Sequence, residues 1–356
     1  MDITNKNSQY NSFDVAKLIC AVFVVMIHVP PFGRQETMNL LSYLNFGLRH
    51  CLSRTAVPLF FIFNGFFLYK KTSLEAFSPV HSKTYFKRIL KLYLLWSLVY
   101  FPISLINIVN NPKGIVYGFF MYLKNLIFVG SYTHLWYLSA LLFAVLLVSF
   151  LLYKKWSPRK IVFTSFFFFI LGLLGESYYG VIFPLRKLPF IGDIIHIYFK
   201  IFSTTRNGLF FAFFYVSLGM FLSDKEILIS RKKSLFFFVV SLFMLAIEAF
   251  AVTFFGLAKD YNMLLFAAPA ALFCFLFLRT ISIKGNTIHI RKISSLIFYG
   301  HMLVLEVFWK WSTVSGVQIQ KTPLLFIIVL FVTVFLAILI QRISDKKGFK
   351  WLKAIY

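Results

Sequence analysis

Charge is scarce in this sequence, and acidic charge is the scarcest. Only 14% of its 356 residues are Asp, Glu, Lys or Arg, against roughly a quarter in soluble domains. Twelve of these are acidic and 37 basic. With 60% hydrophobic residues and 48 phenylalanines, a water-soluble two-domain protein is excluded, because no soluble core hides so much apolar surface. Cysteine is also sparse. Cys20, Cys51 and Cys274 have no metal-ligand spacing, so neither a disulfide framework nor a bound metal is expected. There is no Walker loop, Gly-x-Ser-x-Gly, zinc-protease helix or calcium loop. These gaps argue against a nucleotide-driven pump and against a hydrolase of the soluble type.

The sequence is instead built from apolar runs. Ten stand out, at 13–32, 54–69, 86–108, 134–153, 160–178, 206–223, 234–255, 262–281, 293–311 and 323–343. About 20 apolar residues cross a bilayer as a helix. None of the runs alternates with period two, so they are not barrel strands. The sequence predicts an all-α integral membrane protein: a ten-transmembrane-helix bundle forming one domain over residues 1–356, with no soluble domain. Val29-Pro30-Pro31-Phe32 after the first run is not a small-residue cleavage site, so that run is expected to be a retained helix.

The net charge of +25 would suggest nucleic acid in a soluble protein. Here the bases sit in short clusters between apolar runs. Lys6 and the clusters at 70–88, 154–160, 225–233 (which begins with Lys225), 279–292 and 342–353 fall on one side of the predicted topology. Short cytoplasmic loops carry such an excess, so both termini are expected in the cytoplasm, with anionic lipids as partners and no nucleic acid. The long outer connections 33–53 and 179–205, and the half-apolar stretch 115–130 around Lys124, are expected to lie in the interface or dip back into the bundle.

Ionisable residues inside apolar runs are the first functional suspects. The first run holds Asp14, Lys17 and His28. Lys17 and His28 are eleven residues apart, which places them on one helix face about 16 Å apart along the axis. His28 reads either as a titratable group on that face or as the cap of a turn before the prolines. Lys87, Arg88 and Lys91 make a basic face suited to phosphates or to lipid headgroups. A further set falls toward the outside: His134, Trp136, Glu176, Arg206, Asn207, Glu248, Asp260, His301 and Glu306. Together they predict a polar cavity. A structural ion pair between Arg206 and Glu248 is the other reading.

The segments FDVAKLICAVFVVMIH (13–28), VPLFFIFNGFFLYKK (57–71), YFKRILKLYLLW (85–96) and HLWYLSALL (134–142) resemble membrane acyltransferase family 3. Asn64 stands where that family often has Ser, and Lys17 stands in its arginine position. The resemblance implies transfer of an acyl group, acetyl first, from an acyl-CoA to a cell-envelope acceptor such as a surface glycan, in a bacterial plasma membrane. It implies His28 as general base or transient acyl carrier, supported by Lys17 and Asp14. It also implies acetyl-CoA phosphates on Arg88, Lys91 and Lys87. Imidazole suits the base role, with an ordinary pKa of about 6.5. Lys in place of Arg gives up bidentate recognition.

LGLLGESYYGV (171–181) and STTRNGLFFAFFYVSLGM (203–220) resemble, within that family, the membrane domain of vancomycin-resistance serine racemases. The chain ending at Tyr356 is expected to lack their cytoplasmic racemase domain. This likeness implies the alternative function, a transporter of a small serine-like amino acid without acyl-transfer activity. Arg206 or Arg54 would then hold the carboxylate and Glu248 the amine.

Overall fold

The computed structural model describes residues 10–356 apart from 36, 73, 75, 76, 225, 226, 228, 318, 320 and 321. Lys6 and Lys225 of the charge pattern lie outside the described residues. The helices run α1 Asn11–His28, α2 Leu40–Phe46, α3 Ala56–Tyr69, α4 Val80–Val109, α5 Ile115–Phe128, α6 Trp136–Tyr153 and α7 Pro158–Leu173. They continue as α8 Ile191–Phe202, α9 Phe213–Asp224, α10 Arg231–Phe254, α11 Ala267–Arg279, α12 Ile288–Ser315 and α13 Pro323–Ser344. No strand occurs among the described residues.

Each of the ten apolar runs coincides with a helix. Among the described residues, six stretches are long and apolar enough to cross a membrane: Asn11–His28, Leu40–Tyr69, Val80–Val109, Trp136–Tyr153, Arg231–Phe254 and Pro323–Ser344. The remaining runs fold as α7, α9, α11 and α12, which are shorter or, in α12, interrupted by Arg291, Lys292, Glu306 and Lys310. Phe163, Phe236, Phe243, Phe254 and Phe331 are exposed on helix faces. Such faces would aggregate in water and belong against lipid.

Local chemistry sets the helix ends. α1 stops at His28, short of the predicted 32, because Pro30 and Pro31 have no N–H to give the ladder. α7 starts where Ser157 accepts from the Lys160 N–H and Pro158 takes the first turn. The 33–53 connection is largely helical and not a loop. Asn39 and Ser42 form a reciprocal cap on α2. A π turn at Gly47–Cys51 and a 3-10 turn at Leu52–Thr55 then carry the helix into α3. The 179–205 connection likewise contains short turns and α8. The 115–130 stretch is α5, whose Val116, Phe120 and Ile127 are exposed.

Contacts divide the chain into two compact units. The first comprises Met1–Phe60, Ile229–Ala246 and Pro269–Tyr356. In it α12 packs along α1 and α13, burying Phe13, Val25, Ile297, Leu305 and Val329. The start of α1 is tied down by Asn11 Nδ2, which donates to the Ile283 and Gly285 carbonyls at 2.8 and 2.7 Å. Past α13, Lys353 sits 2.8 Å from Asp345, and its hydrogen bond holds that carboxyl below the usual carboxylate range.

The second unit comprises Phe61–Leu228 and Ile247–Ala268. Here α7 packs on α9, and a π turn at Gly208–Ala212 packs on α6 and α7. Phe61, Phe169, Phe211 and Tyr215 fill its core. Asn64 links three helices, donating to the Tyr137 hydroxyl at 2.5 Å and accepting from the Tyr85 hydroxyl. α3 and α9 approach backbone to backbone. A Cβ on Gly65 would collide with the Val216 carbonyl, and one on Gly219 with the Ile62 carbonyl. Small residues let membrane helices come this close. Gly219→Val should therefore destabilise the protein by about 1–3 kcal/mol through overpacking. Thermal unfolding in detergent, followed by size-exclusion, would show it, and an unchanged midpoint would contradict the contact.

Candidate active site

The best-defined site lies in the first unit and begins with the end of α1. In a helix the Ile27 carbonyl would accept from residue 31, and Pro31 has no hydrogen to give. Arg49 supplies it instead, donating from Nε and Nη2 at 3.2 and 2.9 Å. A cation at a helix C-terminus also complements the helix dipole. The loop beyond is held by Asn45, whose Oδ1 accepts from the Phe32 N–H at 3.1 Å and whose Nδ2 donates to the Gly33 carbonyl at 2.8 Å. Gly33 adopts a positive φ of 72°, which glycine tolerates without strain.

These contacts wall a cavity of about 270 Å³. His28, Arg34, Gln35, Asn45, Arg49 and His50 give it polar walls, and Leu305, Trp309 and Leu325 give it apolar ones. The His28 ring lies against that of His301, with centroids 5.3 Å apart. His301 is fully buried, and its Nδ1 faces the Ile297 and Phe298 carbonyls at 3.1 and 2.9 Å. Carbonyls only accept, so Nδ1 carries the proton and Nε2 the lone pair. Arg54 Nη2 lies 3.2 Å from His50 Nδ1. Arginine only donates, so that His50 nitrogen is the acceptor.

The structure thus brings His28 and His301 together and sets Arg54 behind His50. Lys17 and Asp14 are elsewhere. They pair with each other at 3.4 Å near the start of α1, about 16 Å from His28 along the axis. Thr287 donates to Asp14 at 2.9 Å. Neither lines the cavity. Lys87, Arg88 and Lys91 are all exposed on α4, in the second unit.

Glu306, on α12, belongs to the first unit; the other predicted residues lie in the second, where they form separate groups. Arg206 stacks over the Trp136 ring, 4.7 Å from its centroid, and its Nη1 donates to Asn262 Oδ1 at 2.8 Å. Asn262 Nδ2 reaches Glu176 at 3.3 Å and also Asp260. Thr204 donates to Glu176 as well. Asn207 is a helix cap, accepting from the Leu209 and Phe210 N–H groups at 3.0 and 3.1 Å. His134 is buried edge-on to Tyr100, with ring centroids 5.0 Å apart. Glu248 accepts from the Tyr178 hydroxyl at 2.8 Å and from the Leu265 and Phe266 N–H groups at 2.6 and 2.8 Å. The Arg206–Glu248 pair is therefore not formed. Three directed donors already satisfy the carboxylate, and the guanidinium is balanced through Asn262.

Sequence reasoning missed Arg34, Asn45, Arg49 and His50, because it read 33–53 as a connection. The available signal was Arg49, His50 and Arg54 inside an otherwise apolar stretch. That is the same intramembrane charge that singled out His28.

The acyltransferase domain profile of family 3 matches residues 10–342. An amino-acid racemase of Enterococcus faecalis is 29% identical over 342 residues, covering 94% of this chain and 46% of that protein. A serine/alanine racemase of Enterococcus gallinarum is 30% identical over 273 residues, covering 74% of this chain and 36% of that protein. The chain thus spans about half the length, or less, of these curated relatives. No solved structure matches.

The partners found in the second unit predict how its charges couple. Arg206 and Glu248 share no partner, so a double-mutant cycle on thermal stability should be additive within about 0.5 kcal/mol. Arg206 and Asn262 are in direct contact and should show an interaction energy of about 0.5–3 kcal/mol. The reverse order would contradict the hydrogen bonds described.

Proposed function

The chain belongs to acyltransferase family 3 and is an acyltransferase by that membership, and from this premise we propose that it moves an acetyl group from acetyl-CoA to a hydroxyl of a cell-envelope acceptor such as a surface glycan. The observation that carries this reading is His28. It stands on a helix end fixed by Arg49, beside His301, in the wall of a polar cavity. In the step we propose, the acceptor oxygen attacks the thioester carbonyl while His28 takes its proton. The tetrahedral intermediate collapses, the C–S bond breaks and the O-ester forms. The proton passes to the leaving thiolate, releasing CoA.

In this reading the exposed cations Lys87, Arg88 and Lys91 bind donor phosphates from the cytoplasm. Lys17, paired with Asp14, acts on the same helix as His28. The protein crosses a bacterial plasma membrane ten times with both termini inside, and anionic lipids meet its basic loops. No metal takes part.

A second reading is a carrier for a small amino acid. It is favoured by the Arg206–Asn262–Glu176 network, which offers both signs of charge to a zwitterion, and by the racemase names of the relatives.

His28→Gln keeps a polar side chain of similar size but cannot act as base. It should lower turnover by roughly 10²-fold or more with acetyl-CoA affinity unchanged. A general base works as the neutral imidazole, so the wild-type rate should also fall on acidification and level off on the alkaline side. Release of CoA thiol by the purified protein measures both. Full activity in H28Q removes His28 as the base. Arg88→Ala should weaken acetyl-CoA binding by about 1.5–3 kcal/mol, read by calorimetry. Radiolabelled serine uptake into proteoliposomes without CoA turnover would replace the enzyme reading with the carrier.

A further inference from the structure

We propose that the His28 cavity selects ligands that carry an oxyanion, a carboxylate or a phosphate monoester, beside the hydroxyl presented to His28. This deepens the acyl-transfer reading by naming the acceptor class, and it rests on that reading only for the word acceptor.

The inference starts from charge. Arg34 and Arg49 both line this cavity. No Asp or Glu lines it among the described residues. Two guanidiniums that face one cavity repel wherever no carboxylate stands between them, and an anion placed there removes that cost. Guanidinium is also the group whose planar fork matches carboxylate and phosphate.

Donor geometry points the same way. The Ile27 carbonyl engages Nε and Nη2 of Arg49. Among the described residues no hydrogen bond from its Nη1 occurs, so of its five N–H donors three remain, two on Nη1 and one on Nη2, on a guanidinium already fixed in place. Arg34 follows Gly33, and Asn45 holds both Phe32 and Gly33 by their backbone. Gln35 Nε2 donates to the Phe32 carbonyl at 2.7 Å, closing the turn from the other side. The backbone that carries Arg34 is thus clamped before any ligand arrives, which lowers the ordering cost of binding. With about 270 Å³, near the lower end of small-molecule pockets, the cavity suits a single sugar or polyol unit.

The test compares glucose, glucose 6-phosphate and glucuronate as ligands of the full-length protein in detergent. Calorimetry in the H28Q background prevents turnover. Both anions should bind at least tenfold more tightly than glucose. Arg34→Gln, at an exposed position with no structural hydrogen bond among those described, should erase the preference, and Arg34→Lys should keep part of it. Equal binding of glucose, no binding of any of the three, or a preference unchanged in R34Q would each overturn the proposal. A loss of acetyl-CoA affinity in R34Q would overturn it too, because the cations would then serve the donor. A separate CoA-release assay with the wild type bears on acyl transfer alone. If no acceptor releases CoA while the anions still bind tenfold tighter, the transfer reading fails and the oxyanion site stands.

Discussion

The candidate site depends on one unsatisfied carbonyl. Pro30 and Pro31 are adjacent, so the Met26 and Ile27 carbonyls have no N–H four residues on. In an apolar setting each such group costs free energy comparable to a lost hydrogen bond. Arg49 resolves the second by donating twice to Ile27. It can do so because the helical segment that carries it, the π turn Gly47–Cys51, continues directly from α2. The cavity, the orientation of His28 and the clamped loop through Gly33 all follow from where that helix must stand to bring Arg49 to the carbonyl.

Ionisable groups in this chain are met in more than one way. Glu248 has a hydroxyl and two backbone N–H groups and no cation among its hydrogen-bond donors. Arg206 has an aromatic face and a neutral amide, and the amide in turn relays to Glu176. Both solutions avoid placing two full charges in direct contact, where desolvation offsets much of the Coulomb gain. Asp14 and Lys17 do pair directly, at the start of α1, with Thr287 and Asn11 beside them.

The helices were legible in the sequence because lipid demands long apolar runs, and period and length suffice to find them. His28 was legible because an imidazole in such a run is costly. The helix between 40 and 53 was not, since Asn45, Arg49 and His50 interrupt its apolar residues. The polar residues that hide the helix are the ones that build the cavity. The partners of Glu248 were hidden for another reason. Backbone N–H groups are present at every residue but proline, so composition cannot say which ones turn toward a carboxylate. Arg206 and Glu248 looked complementary by sign, and only the loop carrying Asn262, Leu265 and Phe266 decides that they are not partners.

Two π turns, Gly47–Cys51 and Gly208–Ala212, stand next to the two arginine-bearing sites. A π turn holds one residue more than the α ladder needs. Because the widened turn absorbs that residue, taking one residue out of 47–51 would leave an ordinary helix, with the stretches on either side of it facing as they did before. Only the turn itself, which holds Arg49, would lose its widened shape. A single-residue deletion here would therefore be silent to folding and loud to function, the reverse of what a gap inside a membrane helix ordinarily does.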